Sequence, residues 1–463
     1  MSNTLAIHGS WVLSWDKSGQ PELLKDHWVH VRGNRIEAVT KDRPAAGVET
    51  IEVEESLVLP GFINLHSHVV NGAMFRGVPD DARFEAPWMS RLIYQVLMPM
   101  AKIALKTLSA AEVRSLVTLG MLDVLKGGTT TLVDNFPADM EVFFDVAEEL
   151  GIRAYGAPSG SSAGPTDIGP DGMPRYELDP NDTSGVDKMV ALVKRYEREG
   201  SRVRAMLGPH APDTCAPKFL RAVRAAADDL GCLVTIHLAQ TPEEVKLIAS
   251  KYGKTPVEYL HDVGLLGSDL IAAHCIELSE SDLQLLKTTD TVVANCTVSF
   301  AREGTVAPFW RSASAGVRTG IGTDSHGMNM VSELRTAGWF SKLFHKKGYV
   351  ANAYDLVRAS TLTGASALRR PDLGRLSPGA TADILVFDLA KPHLQPVWDP
   401  VKNVIWKGSS ADIAATVVDG RVIVRDGKCP HLDERKILRD AADAAAKVWA
   451  LAESRGIVSR EIA

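Results

Sequence analysis

The sequence predicts an α/β protein: a (β/α)8 barrel carrying a small β-sandwich made from both ends of the chain. Three observations lead there. From about residue 56 to 370, eight short, apolar, β-branched runs recur, which is the arithmetic of an eight-stranded parallel barrel. Between most of them lie stretches with helical apolar spacing, such as AAEVRSLVTLGMLDVLKGG and SDLQLLKTT. Residues 1–55 and about 375–430 share a third texture, short strands separated by tight turns.

Taken in order, LAIHGSWVLSW is apolar and β-prone, WVHVRGNRIEAV is a strand pair broken at Gly33-Asn34, and VETIEVEE alternates with period two. The barrel runs are LVLPGFINLH, TTTLVDN, IRAYGAP, VRAMLGPH, LVTIHLA, LIAAHC, TVVANC and VRTGIGTD. Residues 158–185, rich in Gly, Ser, Pro and Asp, read as a long surface loop and part of a lid. Near the end, ADILVFDL and ATVVDGRVIVRDG return to strand texture, with a hairpin turn at Asp419-Gly420. The tail LRDAADAAAKVWALAESRGI has helical spacing and good helix formers. The expected division is residues 1–58 for the first part of the sandwich and 59–370 for the barrel. Residues 371–430 would form the second part of the sandwich, and 431–463 a terminal helix.

Composition narrows the class of function. The chain has 463 residues, with 51 Lys and Arg against 57 Asp and Glu, a net charge of −6. With no basic run or face, nucleic acid and anionic membrane are not expected as partners. No apolar run reaches the roughly 18 residues that a membrane span needs, and the first residues do not read as a signal peptide. The five cysteines, Cys215, Cys232, Cys275, Cys296 and Cys429, show no CxxC pair and read as reduced thiols. A cytoplasmic enzyme acting on a small molecule is the expectation.

The chemistry sits at the strand ends. Strand one ends in His66-Ser67-His68, strand four in His210, strand five in His237, strand six in His274 and strand eight in Asp324. In a barrel these C-terminal ends converge on one mouth. Two histidines at i and i+2 on a strand point to the same side. With His237 and Asp324 they make three nitrogens and a carboxylate, a set suited to zinc or a similar divalent ion with a position left for water. Taken singly, each has an ordinary explanation, since a lone His on an apolar strand is usually a hydrogen-bonded core residue. Together, one per strand end in barrel order, they point to a metal site. Asp134, at the end of strand two, faces the same mouth as a candidate acceptor for a ligand histidine.

LPGFINLHSH, LKGGTTTLVDN, LGPHAP, TIHLAQTPEE, AAHCIELS, VANCTVSF, AGVRTGIGTDSH, LSPGATADILVFD and VVDGRVIVRDG together resemble the metal-dependent amidohydrolase superfamily over nearly the whole chain. The resemblance is to its mononuclear branch, with S-adenosylhomocysteine and guanine deaminases and the triazine chlorohydrolases. It implies His66, His68, His237 and Asp324 as ligands of one divalent ion per subunit, zinc first, with iron, cobalt or manganese sharing the set. It further implies His274 against the nucleophilic water or the leaving group, His210 against substrate, and a homodimer or larger homo-oligomer. Asp324 would accept the water's proton and pass it on, and His274 would donate to the developing oxyanion. The Met-rich stretch 88–104 is the expected subunit interface.

The departures shape the substrate reading. Deaminases of this branch have His-x-x-Glu after strand five, where this chain has His237-Leu-Ala-Gln240. An amide can hydrogen-bond through both ends but cannot shuttle a proton. After strand seven the family's Cys-Pro-x-Ser-Asn becomes Cys296-Thr297-Val298-Ser299-Phe300. His326 adds an imidazole near the mouth, as partner of a ligand, substrate contact or exposed loop residue. Phe300, Phe309 and Trp310, with Phe84 and Trp88 after strand one, would build an apolar pocket if both loops cap the mouth. These features favour cleavage of a C–N bond in an amide, urea or (thio)carbamate carrying an apolar or aryl group, with Asp324, His274 and Gln240 as catalytic residues. Phenylurea hydrolases and molinate hydrolase fit that description best, and the chain resembles them in length and branch. The alternative is an aminohydrolase releasing ammonia from an aminoheterocycle. A non-catalytic binding or assembly protein is the remote third reading, and the intact ligand set argues against it.

Overall fold

The computed structural model describes residues 4–76, 91–136, 141–164, 166–169, 173–302 and 304–459. Phe84 and Trp88 lie outside the described residues.

All eight expected barrel runs form parallel strands. They are β1 (Phe62–Ser67), β2 (Thr129–Phe136), β3 (Arg153–Gly160), β4 (Val203–Ala205, continued by Gly208–Pro209), β5 (Val234–Leu238), β6 (Leu270–His274), β7 (Val292–Asn295) and β8 (Thr319–Ile321). Pairing runs β1-β2-β3-β4 in one sheet and β5-β6-β7-β8 in another. Two seams join them into a ring. At one, the Leu207 and Thr235 backbones bond across from β4 to β5. At the other, Thr323 and Asp324 both donate their N–H to the His66 carbonyl at 2.9 Å. Gly322 is required at this seam, because a Cβ there would lie 2.8 Å from the His66 Cβ and 3.0 Å from its nitrogen.

Inside the ring pack Leu65, Val133, Tyr155, Met206, Ile271 and Val292. A second core lies between the strands and their helices. Helix Ala110–Lys126 shows how local sequence sets an element. The Ser109 hydroxyl accepts the Glu112 N–H, and the Glu112 carboxylate accepts the Ser109 N–H at 2.8 Å, a capping box. Its apolar face, with Leu116, Val117, Met121, Val124 and Leu125, is buried in that core.

The strands from both chain ends join in one eight-stranded sheet, where a small sandwich was expected. Its order is 421–425, 413–418, 384–388, 56–60, 4–15, 21–32 and 35–40, with 49–51 also on the 4–15 strand. The central strand Ser56–Pro60 runs through Gly61 directly into β1, so the sheet is welded to the barrel. Beneath that weld the Arg153 guanidinium, fully buried, bonds Asp383 at 2.9 and 3.1 Å and Asp419 at 3.0 Å.

The Met-rich stretch expected as a subunit interface is used within the chain from residue 91 onward. Residues Leu92–Leu97 form a π-helical turn leading into helix Met98–Thr107. Val96, Met100, Ile103 and Ala104 bury against Val448 and Ala452 of the terminal helix Glu434–Ser454. No helix among the described residues is long and apolar enough to cross a membrane. All five cysteines are free and buried.

Candidate active site

Five of the expected residues meet where the strand ends converge. The His66 ring lies 4.8, 5.0 and 4.9 Å from those of His68, His237 and His274, close to perpendicular to each. The His68 and His237 rings are nearly parallel at 5.4 Å. His68 Nε2 is 3.6 Å from Asp324 Oδ1. Candidate ligand atoms of His66, His237 and His274, and those of His66, His68 and Asp324, lie within 4.8 Å of one another.

Hydrogen bonding settles the tautomers of two rings. His237 Nδ1 lies 2.7 Å from the His210 carbonyl, and His68 Nδ1 bonds the Asn135 carbonyl. A carbonyl only accepts, so both Nδ1 atoms carry the proton and both Nε2 atoms present bare lone pairs. Those two Nε2 atoms face each other at 3.3 Å. Both ring nitrogens of His66 and Nδ1 of His274 are buried with no hydrogen-bond partner. Opposed lone pairs and orphaned imidazole nitrogens are costly unless a cation lies among them, so the residues fit a divalent metal ion.

The electrostatics agree. Burial, then the neighbouring imidazoles, hold His66 and His237 well below the usual histidine range, so both stay neutral. Burial pulls His274 down to about 4. Burial pushes Asp324 up, but the imidazoles of His274, His68 and His326 outweigh it and keep the carboxylate ionised. Three strand ends carry left-handed backbone at non-glycine residues: Ala239 (φ +47°), His274 and Cys275 (+75° and +53°) and Asp324 (+56°). Such strain persists where surrounding structure enforces it, commonly at functional sites.

Above the cluster opens a cavity of about 310 Å³. His210, Gln240, Phe300 and His326 all line it, as expected. The Phe300 ring packs edge-on to His274 at 4.9 Å. His210 Nδ1 bonds Thr214 Oγ1 at 2.8 Å. His326 Nδ1 accepts from Arg302 at 3.0 Å. Leu92, Ile93, Leu97 and Met98 give it an apolar lining, and Ser159, Gly160, Ser161, Ala163 and Gly164 line it as well. The expected lid segment thus contributes a cavity wall. Two expectations fail. Phe309 turns into the core beside Met330 and Leu334, and Trp310 packs against that core from the side, because their short helix docks on the helix that follows β8. Asp134 bonds Ser67 and the Val69 N–H, at 2.8 and 2.7 Å, and not a ligand ring.

Sequence reasoning missed the supporting groups. Asn64 donates to Thr323 Oγ1 at 2.7 Å and accepts the Thr323 N–H at 3.1 Å, tying β1 to the Asp324 turn. Glu244 accepts the N–H groups of Ala239 and Gln240 at 2.8 and 2.9 Å, fixing where Gln240 sits. Glu333 accepts the Val298 N–H at 3.0 Å, orienting the turn that bears Phe300. Thr241-Pro-Glu-Glu244 carried a capping signal, but Glu333 had none beyond being an acid on an apolar helix face.

A closed parallel barrel with imidazoles and a carboxylate gathered at its strand ends defines a metal-dependent hydrolase. The model of the amidohydrolase family matches residues 57–423, and the chain belongs to that family. It is 33% identical over 402 residues to a 5-methylthioadenosine/S-adenosylhomocysteine deaminase of Thermococcus sibiricus, covering 86% of this chain and 89% of that one. It is 31% identical to a 5′-deoxyadenosine deaminase of Methanopyrus kandleri, covering 85% and 86%. Among solved structures, atrazine chlorohydrolase TrzN from Arthrobacter aurescens, complexed with zinc, is similar with a TM-score of 0.84 at 25% identity, covering 95% of this chain and 100% of that one. The relatives favour the aminohydrolase alternative over the expected phenylurea or thiocarbamate substrate.

Proposed function

We propose that this enzyme hydrolyses an exocyclic C–N bond on an aminated N-heterocycle of the purine type and releases ammonia. The observation that carries the reading is the similarity, over most of the chain, to deaminases of adenosine-type compounds. The cavity supports it, with apolar side chains and serines lining a space beside the imidazole cluster.

His66, His68, His237 and Asp324 would hold one divalent ion, which lowers the pKa of a bound water from about 15.7 toward 7 when present. The remaining work falls to the chain's own residues. Asp324, ionised and facing the cluster, takes a proton from the attacking water through one carboxylate oxygen and returns it to the departing nitrogen. His274, neutral down to about pH 4, holds the attacking oxygen in line by a hydrogen bond. The bond to the exocyclic nitrogen breaks, and that nitrogen leaves as ammonia. As the oxygen bonds to carbon, the C=N electron pair moves onto the adjacent ring nitrogen. Gln240 cannot transfer a proton, so its amide N–H hydrogen-bonds that nitrogen. The pair returns to the ring as ammonia departs, leaving the hydroxy form of the heterocycle.

Gln240 also favours a second reading. A urea or thiocarbamate has no ring nitrogen to protonate, so its cleavage does without a carboxylic acid at that position. A panel of 5′-deoxyadenosine, 5-methylthioadenosine, an aminotriazine, an N-aryl urea and a thiocarbamate separates the two, using metal-loaded enzyme and mass spectrometry of the released nitrogen compound. Ammonia from a heterocycle is expected, and Gln240→Glu should raise that rate at least tenfold. An aniline or alkylamine as the sole product would replace this reading with the second.

A further inference from the structure

The loop after β4 carries His210 at the base of the cavity, and three residues later it carries Asp213, which is almost fully buried. Both the Tyr94 and Tyr176 hydroxyls donate to the same Asp213 oxygen, Oδ2, at 3.1 and 2.6 Å. The other oxygen, Oδ1, is buried without a partner. Burial first and Asp213 second push both tyrosines above their ordinary range, so both hydroxyls remain donors. Tyr94 belongs to the π-helical turn Leu92–Leu97, whose neighbouring Leu92, Ile93 and Leu97 line the cavity. Tyr176 follows the other lining segment, 159–164. Ser162, between the lining residues Ser161 and Ala163, is stitched to the same loop, accepting the Ala216 N–H at 2.7 Å and donating its own N–H to the Thr214 carbonyl at 3.1 Å.

We propose that Asp213, Tyr94 and Tyr176 are positioning residues that clamp the two walls of the substrate cavity to the His210 loop and set their separation. Two features distinguish this clamp from ordinary core packing. It joins the segments that line the cavity and contributes nothing to the barrel ring. It also leaves one buried carboxylate oxygen unpaired beside a second buried carboxylate, Glu244, an arrangement that costs stability and therefore calls for another advantage. Glu244, within electrostatic reach of Asp213 and both tyrosines, holds the Ala239 and Gln240 N–H groups of the turn that presents Gln240. The clamp rests on the cavity's construction and not on which bond is cleaved.

Tyr94→Phe and Tyr176→Phe remove only the donors. With metal-loaded, full-length enzyme and whichever panel compound it turns over, each should raise KM about tenfold while kcat stays within about twofold. Tenfold corresponds to about 1.4 kcal/mol, within the net range for one hydrogen bond. The double variant should fall short of the product of the singles, since both donors share one oxygen. Independently of substrate, amide hydrogen exchange over residues 91–107 should quicken about tenfold in Tyr94→Phe, while β5 and β6 keep wild-type protection. Unchanged exchange with unchanged KM, or a fall in kcat at constant KM, overturns the clamp. If the panel yields no substrate, the exchange result decides alone, and a failed functional reading stays separate from a failed clamp.

Discussion

Two imidazole nitrogens facing each other with no proton to share between them make the strongest single-residue statement in this molecule. His66→Ala and Asp324→Ala should each abolish turnover and lose stoichiometric metal by elemental analysis, while far-ultraviolet dichroism stays that of a folded α/β protein. Full activity in either would sink the metal mechanism. The histidines and Asp324 were legible because each closes a β-branched run, and barrel geometry brings such ends together. The groups that make the site work were not. The carbonyls of Asn135 and His210, which fix two tautomers, belong to the backbone and have no side-chain signature. Asp213 sits in a Pro-Asp-Thr turn that reads as solvated loop. Phe300 lines the cavity, whereas Phe309, nine positions on, looks the same in sequence and packs into the core.

Among elements, the helix Met330–His345 carries an acid with a consequence for pH. Burial pushes Glu333 up to about 8 from an ordinary 4.5. Below about pH 4.5 the carboxyl is protonated in folded and unfolded chains alike. As pH rises toward 8 the unfolded chain ionises freely while the folded one holds its proton, so stability falls across that window. The loss from this residue is on the order of 3–5 kcal/mol, complete once pH exceeds the folded value. Urea unfolding of metal-free protein at pH 5 and pH 8 should show the wild type losing that much relative to Glu333→Gln. A difference that stays flat with pH would refute the assignment. All eight barrel strands were legible from their apolar, β-branched texture, even β4, which is interrupted between Ala205 and Gly208. The Met-rich stretch 88–104 reads as a subunit interface because apolar periodicity cannot say what covers a helix such as Met98–Thr107. Its cover is the terminal helix on one side and the cavity on the other.

At the scale of the whole molecule, a buried ion cluster bridges the barrel and the terminal sheet. Arg153, on β3, meets Asp383 and Asp419 from the far end of the chain. Breaking a buried pair leaves an uncompensated charge, so Arg153→Met should cost about 3–5 kcal/mol in urea unfolding. Adding Asp383→Leu should recover part of that loss, and simple additivity of the two would show that they do not act as a pair. That the strand-rich chain ends come together was legible, but their joining in one continuous sheet was not, because strand texture does not state which strands pair edge to edge. The merger has a consequence for synthesis. Ser56–Pro60 pairs with Ile384–Asp388, and 384 − 60 = 324 residues separate the end of one from the start of the other. At roughly 5–20 residues per second, a ribosome needs roughly 15–65 s to deliver the missing strand. Throughout that interval the nascent chain carries an apolar strand with one edge unsatisfied, immediately upstream of a barrel that cannot close until β8 emerges. An apolar strand edge left open for that long is a place where another chain can pair during synthesis.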